Sequence, residues 1–276
     1  MRLPIAVKER VTSEFPGTTI FLTGCSADGC RRDYCEYNIS AYPAKGKTKA
    51  LENAGQIYII QPVIDIKRIL ASPHKVIYDP EWNMAKILGS RVKEKIEIAK
   101  KEHTKEVEVK ATFNIIESFS LLEKEKIKAS SLYFVSSISS ISELMLIKRS
   151  VIPHPSHLAS QLRERSLLAI FAEAASFDFP SSTNAERRMN KISSSFTGAE
   201  AVAIKRKMEG MINSGNIFDS LYYSYWCISN LLKMKGEGAY AIAEGMGITA
   251  EENHLRKHLP TMADTLKQLI KSNTSL

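Results

Sequence analysis

The sequence predicts an α+β protein: a small mixed sheet with helices at the N-terminus, followed by an all-α helical bundle. Three observations carry this. Short β-branched and apolar runs, each bounded by Gly, Pro or Asp, recur up to Pro80. From Glu81 onward Gly and Pro become scarce and apolar residues fall at three- and four-residue steps. The chain of 276 residues, 44% hydrophobic and 25% charged, is long enough for two ordinary globular domains. These are placed at residues 1–90 and 91–276.

In the first region, Thr18–Thr23 is a strand that stops at Gly24, and Cys35–Tyr42 is a second that ends at Pro43. Gln56–Gln61 is a third, and Lys75–Tyr78 is a fourth, closed by Asp79-Pro80. Between the second and third, Lys45–Lys49 reads as a solvated loop. Its Gly46-Lys47-Thr48 triplet is not a Walker motif, because the first glycine of that motif would fall on Ala41 and no apolar helix follows.

In the second region, Met84, Ile87 and Leu88 begin the helical spacing. Lys93–Lys110 alternates Lys and Glu, as a solvated helical face or surface connection does. Phe113–Ile147 keeps the period but is too long for one typical helix, and Ala129–Ser131 is the expected break. Val151–Pro155 is a loop, since Pro153 and Pro155 interrupt any helix. Helices are expected at His157–Ala175, Thr183–Ile212 and Ile217–Lys233, with ends at Pro180, Gly210 and Gly215. A last helix spans Glu251–Lys271, kinked or restarted at Pro260.

No apolar run approaches the ~20 residues a bilayer requires. The apolar stretch at the N-terminus is too short for a signal peptide, and Glu9 and Arg10 follow at once, so a soluble, cytoplasmic protein with no membrane partner is expected. Cys25, Cys30 and Cys35 are spaced five apart and Cys227 is distant. That is neither a secreted disulfide framework nor the paired spacing of structural zinc sites, and ordinary reduced thiols are expected. The net charge of +8 suits an anionic partner, a nucleotide or RNA, although no basic block with interleaved aromatics marks a nucleic-acid face.

The segment that carries chemistry is Leu22–Ile39. A strand runs into Gly24, the small polar pair Cys25 and Ser26 follows, and Glu36-Tyr37-Asn38 opens the next strand. Alternate residues of a strand share a face, so Glu36 and Asn38 point the same way. This resembles the signature of the DNA polymerase beta-type nucleotidyltransferase superfamily, in its minimal and aminoglycoside nucleotidyltransferase forms. There a Gly-Ser opens a short helix and two carboxylates at i and i+2 lie on the following strand. The resemblance covers about a third of the chain; the Tyr78-Asp79-Pro80 turn and the helical second region also resemble proteins that join this domain to a helical substrate-binding or HEPN-like one.

The resemblance implies a small nucleotidyltransferase-like sheet domain in which Glu36 and Asn38 hold Mg²⁺ against a nucleoside triphosphate and carry catalysis. It also implies that Gly24, Cys25 and Ser26, with Arg31 and Arg32, receive the nucleotide's phosphates. The motif is degenerate. The family's serine is Cys25 here, and the second carboxylate is Asn38, which offers a carbonyl oxygen but no charge. A third carboxylate is missing from Gln56–Gln61; Asp65 is the nearest candidate, and Asp28 and Asp33 read as turn or capping residues.

The implied function is Mg-dependent nucleotidyl transfer, weakened or lost. The alternative is a non-catalytic nucleotide-, RNA- or partner-binding module, a sensor or toxin–antitoxin-like component, with homo-oligomerisation through the helical region. Arg149 and His154 have the R-x4-H spacing of HEPN-type ribonucleases but fall in the proline loop, and His157 is expected to cap or pair near the next helix start. Tyr222–Trp226 reads as a core and interface cluster.

Overall fold

The computed structural model describes residues 3–89, 92–176, 180–235, 240 and 245–272. The chain is α+β, with two compact units: residues 1–103 with 196–207, and residues 104–195 with 208–276. Residues 92–103 thus cluster with the sheet, and twelve residues from far downstream join them. Local periodicity carries no trace of such a long-range association.

The sheet unit begins with helix α1 (Ile5–Glu14), which the sequence reading did not anticipate. Five strands follow: β1 (Thr19–Thr23), β2 (Tyr37–Tyr42), β3 (Lys49–Asn53), β4 (Gln56–Pro62) and β5 (His74–Tyr78). Their order across the sheet is β3-β4-β2-β1-β5. β2 and β4 pair in parallel, with Asn38 opposite Ile59, and the other pairs are antiparallel. Four strands match the expected ones to within two residues. The fifth, β3, lies just beyond the lysine-rich loop; its sequence, Lys-Ala-Leu-Glu-Asn, is polar because it is an exposed edge strand.

Alternation distributes the core to both sides of the sheet. Ile20, Ile39, Ala41, Tyr58 and Ile60 meet Val7 and Val11 of α1 on one face. On the other, Phe21 and Val63 meet Ile69 and Leu70 of α3 (Ile66–Leu70), Met84 of α4 (Asn83–Leu88) and Ala99 of α5 (Val92–Glu123). Full burial of an aliphatic side chain stabilises by about 1.5–3 kcal/mol, so α1 holds its face mainly through two valines. Asp79 links the layers: its carboxylate accepts from Thr19 Oγ1 at 2.8 Å and from the backbone N–H groups of Asn83 and Met84 at 2.9 and 3.1 Å.

The helical unit is built around α6 (Ile127–Lys148), which packs against α11 (Ile217–Lys235) and α12 (Glu252–Lys271). Helix α6 is long and apolar enough to cross a membrane, but 89% of its apolar window is buried within the protein, as a core helix requires. The expected absence of such a run is thus corrected: serines interrupt the apolar pattern without removing its overall apolar character.

The break between α5 and α6 falls at residues 124–126, where Glu125 has φ +59°, and Ala129–Ser131 lies inside α6. His157–Ala175 is a 3-10 turn (Pro155–His157) followed by α7 (Leu158–Glu164) and α8 (Leu168–Ala172). Thr183–Ile212 is divided into α9 (Ser182–Ser193) and α10 (Gly198–Asn213), so Gly210 lies within a helix and does not end one. Helix α12 continues through Pro260, with Leu255, Leu259, Met262 and Leu266 buried along one face.

Candidate functional site

Strand β1 delivers the chain to Gly24, whose backbone (φ +68°, ψ −153°) is one only glycine adopts readily. Space is not the constraint there, since an added Cβ would lie 3.5 Å from Asn38 Nδ2. The Gly24 N–H donates to Pro73 O at 3.1 Å, anchoring the turn. A single helical turn, α2 (Cys25–Asp28), follows and closes on left-handed Gly29. Cys25 and Ser26 are both buried. The Ser26 hydroxyl donates to the Glu36 carbonyl at 3.5 Å, so it braces the next strand's entry.

Glu36 precedes β2 and Asn38 lies within it. Their side chains share a face, as the spacing requires: Asn38 Nδ2 is 3.4 Å from Glu36 Oε1. The same carboxylate oxygen receives Lys207 Nζ at 2.6 Å, and the two side chains are only 11% (Lys207) and 9% (Glu36) exposed. Glu36 Oε2 is buried without a hydrogen-bond partner. Lys207 comes from the first part of α10, in the segment that belongs to the sheet unit. Beside Asn38, parallel strand β4 presents Ile59, and Ile57 precedes it on the same face; both are buried.

This donor set does not fit hexacoordinate Mg²⁺. The ion requires several oxygen ligands at near-octahedral positions. Here one carboxylate is already neutralised by an ammonium, Asn38 turns its amide nitrogen towards that carboxylate, and the facing strand is apolar. Asp65 is not a third ligand; it caps α3, accepting from Lys67 N at 3.0 Å.

Arg31 is not extended towards a phosphate. Its guanidinium lies over the Tyr37 ring, 4.2 Å from the centroid, and donates to Gln56 Oε1. Tyr37 in turn stacks on Tyr58, with centroids 4.9 Å apart. Arg32 is half-buried and its carbonyl accepts from Cys35 N at 2.9 Å. Asp28 ends α2, and Asp33 is an exposed turn residue. A cavity of about 170 Å³ opens beside the ion pair, with Tyr34, Glu36, Gln56, Arg206 and Lys207 among its walls. That is smaller than the ~300 Å³ at which drug-sized ligand pockets begin.

Lys207 is the residue that sequence reasoning missed. Its only local signal is the Lys205-Arg206-Lys207 run, and nothing ties that run to a carboxylate 171 positions earlier.

The thiols of Cys25 and Cys35 lie within 4.8 Å of one another. A hydrogen bond between them and burial push the Cys25 thiol well above its ordinary range, while the Lys207 ammonium pulls the other way. Burial and the nearby Asp28 raise Cys30 as well.

In the helical unit, Arg149 closes α6 in an exposed position, whereas His154 is buried in the segment that follows. The His154 backbone N–H donates to Gln161 Oε1 at 2.9 Å. The pair therefore lies in a loop, as the prolines imply. His157 stands at the start of α7 but makes no side-chain cap. Tyr222, Tyr223 and Tyr225 are buried core residues, and Tyr223 stacks on Trp226 at 5.6 Å.

No family model, curated protein or solved structure matches this chain. The functional reading therefore rests on residues and geometry.

Proposed function

We propose that the sheet unit is a nucleotidyltransferase-like module that binds nucleotide without a divalent metal and does not transfer it. One observation carries this reading: the ammonium of Lys207 sits 2.6 Å from Glu36 Oε1, where the resemblance would put a cation. A fixed ammonium supplies positive charge to a phosphate group, but it cannot activate an attacking oxygen or bridge a leaving pyrophosphate as paired metals do. The apolar residues opposite Asn38 support the absence of metal-assisted transfer. The glycine turn and Lys207 remain as the anion-receiving features.

The test is calorimetric titration with ATP, GTP, CTP and UTP, with Mg²⁺ or with EDTA, followed by a pyrophosphate-release assay. At least one nucleotide is expected to bind equally with and without Mg²⁺, to release no pyrophosphate, and to lose at least tenfold in affinity in K207M. Mg²⁺-dependent pyrophosphate release that disappears in E36Q would overturn the proposal, as would failure of all four nucleotides to bind.

A further inference from the structure

The thiols of the sheet unit form a second group with its own chemistry. Cys25 is the first residue of α2 and Cys35 lies just before β2, yet the fold brings their sulfurs within 4.8 Å. Both are buried, at 6% and 3% exposure. Cys30 lies on the loop that joins them, with its sulfur 3.7 Å from the Cys25 carbonyl and 3.9 Å from Asp28 Oδ2. None of the three is in a disulfide.

We propose that Cys25 and Cys35, with Cys30 as a third thiolate, form a binding site for a thiophilic d¹⁰ cation of the Zn²⁺ type. Tetrahedral Zn²⁺ with Zn–S bonds of ~2.3 Å holds its sulfurs about 3.8 Å apart. The two buried sulfurs need to close by no more than about 1 Å from their present separation to reach that geometry. The irregular loop from Cys30 to Cys35 supplies the freedom for the third. Binding would displace water from the ion and release one proton to solvent for each coordinating thiol, so affinity rises with pH. The Lys207 ammonium, which favours the Cys25 thiolate, offsets part of the negative charge of a thiolate-rich site. A hard ion such as Mg²⁺ is excluded by the same ligands, since sulfur selects soft and borderline metals.

Occupancy would pin the α2 turn to the entry of β2 and so fix the backbone on either side of Glu36. The cobalt readout needs no nucleotide, so the two proposals fail separately.

The experiment is cobalt titration of the full chain, stripped with a chelator and kept under a metal-free reductant. A sulfur-to-cobalt charge-transfer band in the near ultraviolet is expected, saturating at one equivalent, with an intensity set by the number of thiolates. Zn²⁺ should abolish it and Mg²⁺ should not. C25S and C35S should each lose most of the band and weaken Zn²⁺ at least a hundredfold in a chelator competition. C30S should lower the intensity by one thiolate, and C227S should leave it unchanged. Circular dichroism of each variant reports whether it is folded, and C25A and C35A provide second variants. Replacing the six histidines one at a time identifies any nitrogen ligand in the fourth position. The proposal is overturned by the absence of a charge-transfer band, by a band that survives in C25S and C35S, or by a Cys25–Cys35 disulfide that forms in place of metal binding.

Discussion

Both units bury polar side chains, and each surrounds its buried charges differently. In the sheet unit the buried polar groups include a carboxylate, an ammonium and two thiols: Glu36, Lys207, Cys25 and Cys35. In the helical unit they include the serines of α6, at positions 130, 131, 136, 137, 139, 140 and 142, beside charged side chains such as Arg188, Asp219 and the Lys148–Glu108 pair. Several of these hydroxyls bond within their own helix, as Ser137 does to Phe134 O at 2.7 Å and Ser140 to Ser136 O at 2.9 Å. A serine can satisfy itself on the preceding turn at little cost. A charge has no such local remedy, and removing it from water costs several kcal/mol. The serine interior is consequently a packing solution, whereas a buried charge such as Glu36 depends on its partner.

The strongest way to break that comparison is to remove one charge. In K207M the Glu36 carboxylate keeps its burial and loses its ammonium, with only the 3.4 Å contact from Asn38 remaining on that oxygen. A loss of about 3 kcal/mol or more in the sheet unit is expected. The double variant E36Q/K207M, which removes both charges, should recover most of it. Peptide-resolved hydrogen exchange checks both, because it reads the sheet unit separately from the helical one. Equal destabilisation by the single and double variants would mean that the methionine itself disrupts the site, and that the ion pair is not what matters.

The legible and illegible parts of the molecule divide along the same line. Four of the five strands could be read because β-branched runs end at Gly24, Pro43 and Asp79-Pro80. Strand β3 could not, because an exposed edge needs no apolar pattern. Helix α1 also escaped: only Val7 and Val11 face the sheet, too few to set a period. Gly24, Glu36 and Asn38 were legible as a spacing and do come together. Their meaning was not, because it depends on Lys207, which arrives from α10. The cysteines show the same limit. A spacing of five looks unlike a metal motif along the chain, yet the fold closes ten residues into a pair of neighbouring sulfurs.

Within the serine interior, the comparison sharpens at two positions. Ser130 and Ser118 form a reciprocal link between α6 and α5: each hydroxyl donates to the other's carbonyl, at 2.8 and 2.9 Å. S130A should cost about 1–2 kcal/mol, because it breaks one of these bonds and leaves a buried carbonyl with less than its share. Ser139 is equally buried, but its hydroxyl has no hydrogen-bond partner. S139A should be neutral or stabilising by up to about 1 kcal/mol, since alanine is the better helix former and carries no group to desolvate. Urea midpoints of the two variants, compared at constant slope, decide the matter. If S139A proves as costly as S130A, the hydroxyls of α6 are engaged in something other than packing.

The smallest effect is expected at a buried histidine of the helical unit. His258 lies on α12, buried, with its ring 4.3 Å from that of His254. Burial holds its pKa below the ordinary 6.5, and the charges of His254 and Lys257 add to this, while Glu173 acts in the opposite sense. The folded protein therefore takes up a proton at His258 less readily than the unfolded chain does. Its contribution to stability is complete above about pH 6.5 and declines as pH falls through that value towards the lower folded-state pKa. The melting temperature of the helical unit should accordingly drift downward between about pH 7 and 5.5, and H258Q should flatten the drift. His254 provides the internal contrast. Its Nε2 lies 2.7 Å from the Ala174 carbonyl, a contact that a ring N–H makes in either protonation state. If the slope with pH survives unchanged in H258Q, burial of the His258 ring is not its source.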